Sequence, residues 1–322
     1  METRRLQHTN LIVSRVCLGT MTFGGQTDEA TAFEMIGACL DHGVNFFDTA
    51  NVYQAGVSET IVGKALKGRR DRVVLASKCA AKTGPAPDQA GLSRAAILRA
   101  AEDSLQRLQT DYLDLYYLHW PDYTVPLEES LAAMDELVRA GKVRHVAASN
   151  FASWQICRLH WLAETRRLPR VSVTQPMYNL LARGIEQEFL PMCQQLGVST
   201  IVYNPLAGGL LTGKQKFEAP LPGTRFDKNQ MYLDRYWHEA NFVAVQELNA
   251  IAAAAHRSLV SLALNWVLHH TPVDSLILGA SKPAHLQENL RAVDEGPLSP
   301  ETVAGLDRVW ARLRGPSPKY NR

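Results

Sequence analysis

Eight short apolar runs, separated by stretches with helical periodicity, constrain this chain more than any other feature. The runs fall at residues 16–19, 45–48, 73–78, 113–119, 143–149, 171–175, 200–203 and 276–279. They are rich in β-branched or aromatic residues and rarely alternate polar with apolar, as expected of strands covered on both faces in a parallel sheet. Between them lie helix patterns with recognisable ends: 28–42 stopped by Gly43, 93–108, 126–140 stopped by Gly141, and 153–167 stopped ahead of Pro169. Strand and helix alternating eight times is what a (β/α)8 TIM barrel, an α/β fold, requires. An open doubly wound sheet is the competitor. Against it, the turn after the first run, Gly19-Thr20-Met21-Thr22-Phe23-Gly24-Gly25, lacks the Gly-x-Gly-x-x-Gly spacing of a dinucleotide-binding sheet.

No Pro/Gly/Ser-rich linker divides the chain, so residues 1–322 read as one barrel domain. Three segments exceed the bare barrel. Residues 1–15 form an N-terminal hairpin, with strands at 5–8 and 11–14 around Thr9-Asn10. Residues 204–237 form a long loop after the seventh barrel strand, with no clear helix before its end. Residues 290–322 form a C-terminal helix and tail. The long loop carries Phe217, Arg225, Phe226, Tyr232, Arg235, Tyr236 and Trp237. That content favours a ligand-covering loop, with a surface excursion packed by its own aromatics as the alternative.

Composition removes several function classes. With 46% hydrophobic and 20% charged residues, the chain can bury a large core and is neither disordered nor fibrous. Lys and Arg total 34 against 32 Asp and Glu, a net +2, so nothing in the charge points to nucleic acid or an anionic membrane. The first residues lack the apolar core of a signal peptide, and no run approaches the length of a membrane span, so a cytoplasmic location is expected. Cys17, Cys39, Cys79, Cys157 and Cys193 are widely spaced without a Cys-x-x-Cys pair, and read as reduced, mostly buried residues. Cys79 stands out because it neighbours a catalytic candidate. No metal site is expected, since His8, His42 and His269-His270 lack partner ligands at workable spacing.

In such a barrel, chemistry sits where strands end on the carboxyl-terminal face. The second run ends in Phe47-Asp48-Thr49-Ala50 and its loop carries Tyr53; the third ends at Lys78; the fourth ends in Leu118-His119-Trp120-Pro121. An acid, a phenol, an amine and an imidazole therefore come from three neighbouring strands. This set suits proton delivery to a carbonyl that is receiving a hydride. A phenol is too weak an acid at neutral pH, and an adjacent ammonium group, Lys78, would lower its pKa. Asp48 would keep Lys78 charged and fixed, while His119 would hydrogen-bond the carbonyl oxygen and orient it beside Tyr53. Any one of these residues alone is ordinarily a structural hydrogen-bonding group; the joint placement of four complementary groups carries the reading.

These residues, with Ser77-Lys78 and Tyr117-Leu118-His119-Trp120-Pro121-Asp122 around them, resemble the catalytic tetrad of the aldo-keto reductases. Further similarities follow in order along essentially the whole chain. They are Ala148-Ser149-Asn150-Phe151, Gln175, the Tyr203-Asn204-Pro205-Leu206-Ala207-Gly208-Gly209-Leu210-Leu211-Thr212-Gly213-Lys214 segment, and Gly279-Ala280-Ser281-Lys282 followed by Glu288-Asn289. The resemblance implies NADPH/NADP+ as cofactor. Ser149, Asn150 and Gln175 would hold the nicotinamide carboxamide and Tyr203 would stack on its ring. Asn204, Pro205, Leu206, Gly208, Gly209, Leu211 and Gly213 would form a strap over the pyrophosphate, where glycines let backbone amides approach phosphate oxygens. Lys214, Arg225, Ser281 and Lys282 would lie near the 2′-phosphate, and Gly279, Ala280, His285, Gln287, Glu288 and Asn289 would also belong to the cofactor site. His285 stands where many members carry Arg or Gln, which bears on NADPH against NADH preference.

Within the family the likeness is to the aflatoxin-aldehyde and succinic-semialdehyde reductase branch. It rests on the strap, Tyr232-Leu233-Asp234-Arg235-Tyr236-Trp237, Glu295-Gly296-Pro297-Leu298 and the terminal Lys319-Tyr320-Asn321-Arg322. This implies a substrate site of His119, Trp120, Tyr232, Arg235 and Arg322, the arginines facing a carboxylate on an aldehyde or ketone substrate such as succinic semialdehyde. Two alternatives stay open: a cofactor-binding partner protein like the potassium-channel β subunits, which resemble this barrel, and a sugar or polyol dehydrogenase running the same chemistry in reverse. Oligomeric state is not read from the sequence.

Overall fold

In the computed structural model, which describes residues 1–316 and Asn321, two short antiparallel strands, β1 (Thr3–Arg5) and β2 (Ile12–Ser14), precede the main sheet. The eight strands that follow are β3 (Val16–Gly19), β4 (Phe46–Asp48), β5 (Val74–Cys79), β6 (Leu113–Leu118), β7 (Val143–Ser149), β8 (Val171–Gln175), β9 (Ser199–Val202) and β10 (Ser275–Gly279). Each pairs in parallel with the next, and β10 closes on β3 with Leu276 opposite Val16. The architecture is the expected TIM barrel.

Helices α1 (Glu29–Asp41), α2 (Val57–Ala65), α3 (Arg94–Leu108), α4 (Leu127–Arg139), α5 (Ser153–Arg166) and α6 (Phe189–Leu196) follow the first six barrel strands in turn. Their ends follow from local chemistry. The Asp28 carboxylate accepts the Thr31 N–H at 2.8 Å to start α1, Ser93 does the same for Ala96 at 3.3 Å in α3, and Gly43 at φ +81° and Gly141 at φ +73° take the chain away from α1 and α4. Between β9 and β10 lie α7 (Gln230–Tyr236), α8 (Glu239–Ala254) and α9 (Leu259–His270); α10 (Pro283–Val293) and α11 (Pro300–Arg314) complete the described helices. No single helix among the described residues is long and apolar enough to cross a membrane.

Side chains on the strands divide by parity into two cores. Outward residues such as Leu18, Phe47, Leu75, Tyr116, Leu118 and Ala148 pack under the helices. Inward residues Cys17, Phe46, Val74, Ala76, Leu115, Tyr117, Ala147, Val173 and Ile201 fill the barrel, and Leu6, Leu11 and Val13 of the leading hairpin close its floor. This parity matters for the site, because it sends every second residue near the strand ends toward the barrel axis.

Two expected segments differ. The hairpin ladder runs only from Thr3 opposite Ser14 to Arg5 opposite Ile12. Thr9 closes a tight turn by donating its hydroxyl to the Leu6 carbonyl at 2.9 Å, while Gln7 N–H turns to Ser199 Oγ at 2.8 Å, so the residues around Thr9-Asn10 leave the ladder. The loop after β9 is also more ordered than its sequence suggests. It holds a 3-10 turn (Ala207–Thr212) and helix α7, which is braced by Gln230 Nε2 donating to Asp234 Oδ1 at 2.6 Å. Phe226, Tyr232, Tyr236 and Trp237 pack on one another, with Phe226 and Trp237 ring centres 5.2 Å apart. Self-packing by its own aromatics is thus a real property of this segment.

Candidate active site

The inward parity of β4 and β5 continues past the apolar filling to Asp48 and Lys78, both fully enclosed at the carboxyl-terminal end of the barrel. The Lys78 ammonium has three partners. It forms a short ion pair with Asp48, donates to the Thr49 carbonyl at 2.7 Å, and donates to Tyr53 Oη at 3.2 Å. Burial by itself works against the Lys78 charge, yet Asp48 and Tyr53 outweigh it and hold the ammonium above its ordinary pKa. The buried charge is therefore paired rather than neutralised.

Tyr53 is presented by a strained turn. Gln54 and Ala55 both adopt left-handed backbone, φ +49° and +54°, before Gly56 at φ +90° opens α2. The Tyr53 phenol departs from the sequence expectation of a lowered pKa. Burial pushes it up by more than Lys78 draws it down, so it stays above the ordinary tyrosine value and is protonated at neutral pH. His119 lies just past β6, its ring 6.1 Å from that of Tyr53 in an edge-on arrangement and 4.4 Å from that of Trp120. Burial and then the Lys78 charge hold it well below the ordinary histidine value, so it is neutral, and its buried Nδ1 has no partner among the described residues.

The same parity brings Ser149, Gln175 and Tyr203 from β7, β8 and the end of β9 to the axis. Ser149 Oγ donates to the Gln175 carbonyl at 2.9 Å, and Gln175 Nε2 donates to Asp48 Oδ2 at 2.9 Å. Asn150, at φ +61°, donates to the His119 carbonyl at 2.9 Å and accepts the Tyr203 hydroxyl at 2.7 Å. Asparagine tolerates that left-handed conformation better than most residues. All four residues of the candidate tetrad and these four neighbours thus form one connected network.

Farther along, Asn204 takes φ +57° with Pro205 and Leu206 leading into the 3-10 turn. Its buried Nδ2 has no partner among the described residues. Leu211 is buried beneath the turn. Gly208 has a steric reason to be glycine, since a Cβ would meet the Tyr232 ring at 2.7 Å, whereas Gly209 at φ +104° and Gly279 have open space where a Cβ would stand. An unpartnered side-chain donor beside open backbone suits a phosphate-bearing ligand. Lys214, Lys282, His285, Gln287 and Glu288 are exposed, Ser281 is half-buried, and Ala280 and Asn289 are buried.

Arg225 sits against Tyr232, donating to its hydroxyl at 3.1 Å, and Arg235 stands 5.6 Å from the same ring. Tyr232 in turn donates to Asn204 Oδ1 at 3.3 Å. Arg322 lies outside the described residues. Cys79 belongs to the outward parity: it packs in the outer core, contacts the Tyr117 carbonyl, and burial pushes its thiol up to about 12, so it takes no part in the site despite following Lys78.

Three contacts at the site are not read from the sequence. The Thr49 carbonyl is a ligand of Lys78, and it is fixed from behind by Ser58 Oγ, which bonds Thr49 Oγ1 at 3.2 Å and the Thr20 carbonyl at 2.8 Å. Met21 Sδ contacts the Arg225 guanidinium at 3.9 Å. Gln175 secures the second oxygen of Asp48. For the last, strand parity sends Gln175 and Asp48 to the same interior but does not specify the bond between them.

Comparison with known proteins identifies the family. Residues 15–311 match the model of the aldo/keto reductase family. The chain is 38% identical to "Uncharacterized oxidoreductase YrpG" of Bacillus subtilis, covering 99% of both chains. It is 36% identical to human "Aflatoxin B1 aldehyde reductase member 2", covering 95% of this chain and 89% of that one. It is also 36% identical to "Probable voltage-gated potassium channel subunit beta" of Arabidopsis thaliana, covering 96% and 95%. A barrel with this arrangement at its mouth, matched over nearly its whole length, belongs to the aldo/keto reductase family of oxidoreductases.

Proposed function

We propose that the protein reduces aldehydes to alcohols with NADPH, with Tyr53 as the proton donor. The observation that carries this reading is the Lys78 ammonium held between Asp48, the Thr49 carbonyl and the Tyr53 hydroxyl. The family generally uses NAD(P)H, and when bound the nicotinamide supplies the hydride. Ser149, Asn150, Gln175 and Tyr203 would hold that ring, the strap from Asn204 to Lys214 the pyrophosphate, and Ser281 and Lys282 the 2′-phosphate that distinguishes NADPH. The unpartnered Asn204 Nδ2 and the open space at Gly209 and Gly279 support the fit.

The chain's own residues divide the remaining work. Neutral His119 donates a hydrogen bond to the substrate carbonyl oxygen and turns it toward Tyr53. Tyr53 transfers its hydroxyl proton to that oxygen as negative charge develops there. Lys78 stabilises the phenolate left behind, and Asp48 keeps Lys78 in place. Trp120 packs against His119 and is 40% exposed, which suits contact with the substrate. Arg235, beside Arg225 across Tyr232, would receive a carboxylate at the far end of a substrate such as succinic semialdehyde. The name of the human relative, an aldehyde reductase, favours the same substrate class.

The test is a screen of NADPH consumption over aldehydes, ketones and sugars, with NADH in parallel. Aldehydes should be consumed fastest, and faster with NADPH than with NADH. Bound NADPH that no carbonyl compound oxidises would instead favour a binding role, like that named for the Arabidopsis relative.

A further inference from the structure

The loop carrying His119 is tied to the loop that follows Lys78 by a single carboxylate. Asp122 stands three residues beyond His119. Its Oδ2 accepts the Leu92 N–H at 2.9 Å, and its Oδ1 accepts both the N–H and the hydroxyl of Thr124, at 2.9 Å and 2.6 Å. Burial works to raise the Asp122 pKa, but the bonds from Thr124 and Leu92 outweigh it and bring it below 3.8, so the group is a carboxylate at neutral pH.

The other end of the tie reaches Lys78. The Gly91 N–H donates to the Ala80 carbonyl at 2.9 Å, two residues past Lys78, and Ala80 is held at φ +90°, a conformation alanine rarely adopts. Gly91 is required for the approach, since at φ +79° a Cβ there would lie 2.5 Å from Asp122 Oδ2. Leu92 is fully buried and its carbonyl accepts Ser130 Oγ at 2.8 Å, so the anchor that Asp122 grips is itself fixed. The path runs from Lys78 through Ala80, Gly91, Leu92 and Asp122 to His119, joining the ends of the adjacent strands β5 and β6. Among the described residues, the other polar anchor of His119 toward the network is its carbonyl, which accepts from Asn150.

We propose that Asp122 is a positioning residue for carbonyl reduction: its carboxylate, bridging Leu92 and Thr124, sets where His119 and Trp120 stand relative to Lys78 and Tyr53. The inference rests on the reading of His119 as the group that orients the carbonyl. Among the described residues the Asp122 carboxylate accepts hydrogen bonds from Leu92 and Thr124 and from no member of the tetrad, so its effect must pass through His119 and Trp120.

A double-mutant cycle tests this. Asp122→Ala should lower kcat/KM for an aldehyde by about ten- to a hundredfold, chiefly through KM, as expected for a small misplacement of an orienting group. NADPH affinity, measured by fluorescence, and the alkaline limb of the pH profile should not move. In a His119→Asn background the same substitution should cost less than about twofold. Asp122→Asn keeps an acceptor oxygen for Leu92 but loses the one that holds Thr124, so it should fall between the alanine variant and the unsubstituted protein, and this partial loss carries the same cycle if the alanine variant does not fold. Equal losses in both backgrounds, or a parallel loss of NADPH affinity, would overturn the proposal. If His119→Asn alone leaves turnover unchanged, the reading of His119 fails and the inference falls with it; if His119→Asn is impaired and the two effects add, the inference alone falls.

Discussion

At the residue scale, the competing influences on Tyr53 decide the pH behaviour. Burial raises the phenol pKa and Lys78 lowers it, with a net rise above 10.0. The donor is therefore loaded throughout the neutral range, and kcat/KM for reduction should fall only on the alkaline side. Removing the ammonium with Lys78→Met takes away the lowering influence. The alkaline limb should then move farther up while the rate drops by roughly 10²–10⁴, the usual worth of a positioned acid. A pH–rate profile checks both; a limb that moved down would contradict the assignment. Neutral His119 adds that no acid limb should arise from it between about pH 6 and 8. The sequence identifies these groups because each bears unusual chemistry at a strand end. It does not give the balance between burial and charge, which depends on how completely β4, β5 and the loops enclose Lys78.

At the element scale, the proposed function gives helix α7 and the loops around it the choice of substrate. Arg235 lies in the last turn of α7, directed at Tyr232 by ring packing that also involves Phe226 and Tyr236. Arg235→Ala should raise KM for succinic semialdehyde by about tenfold, the loss of one charge-assisted contact, while sparing an uncharged aromatic aldehyde. Equal KM changes for both substrates would remove the anionic subsite. This helix is hard to read from residues 204–237 because it is only seven residues long, so its one buried i, i+4 pair, Tyr232 and Tyr236, is too short a pattern to establish a period. By contrast α1, α3 and α4 carry a cap, a stop glycine or both, which is why their ends are legible within a residue or so. The leading hairpin shows the same limit in another form. Its existence follows from two apolar runs around Thr9-Asn10, but its register depends on Thr9 and Gln7 bonding away from the ladder.

At the scale of the whole molecule, one rule connects fold and site: the inward parity that packs Phe46, Ala76, Val173 and Ile201 inside the barrel delivers Asp48, Lys78, Gln175 and Tyr203 at its mouth. That rule is legible once eight parallel strands are recognised. Which residues bond across the barrel, such as Gln175 to Asp48, is not, because it depends on strand tilt and stagger. The floor is the other end of the same interior. Leu6→Ala, removing a fully buried side chain that seals it, should cost about 2–5 kcal/mol in urea unfolding with little change in KM. Histidines govern acid stability. His119, His145, His160, His269 and His270 all have folded-state pKa values below 6.5, chiefly through burial. Between those values and 6.5 the unfolded chain binds more protons, so stability is intact above about pH 6.5 and declines as pH falls through that value. Thermal midpoints measured from neutral to mildly acidic pH should drop accordingly; a flat series would contradict burial of these rings. Under the proposed function the protein reduces a carbonyl through the Tyr53 proton. This step is tested most directly by single-turnover oxidation of bound NADPH by an aldehyde in Tyr53→Phe beside the unsubstituted protein. Tyr53→Phe should bind the cofactor with unchanged affinity and reduce the aldehyde more slowly by at least about 10²; turnover retained in this variant would rule out Tyr53 as the proton donor.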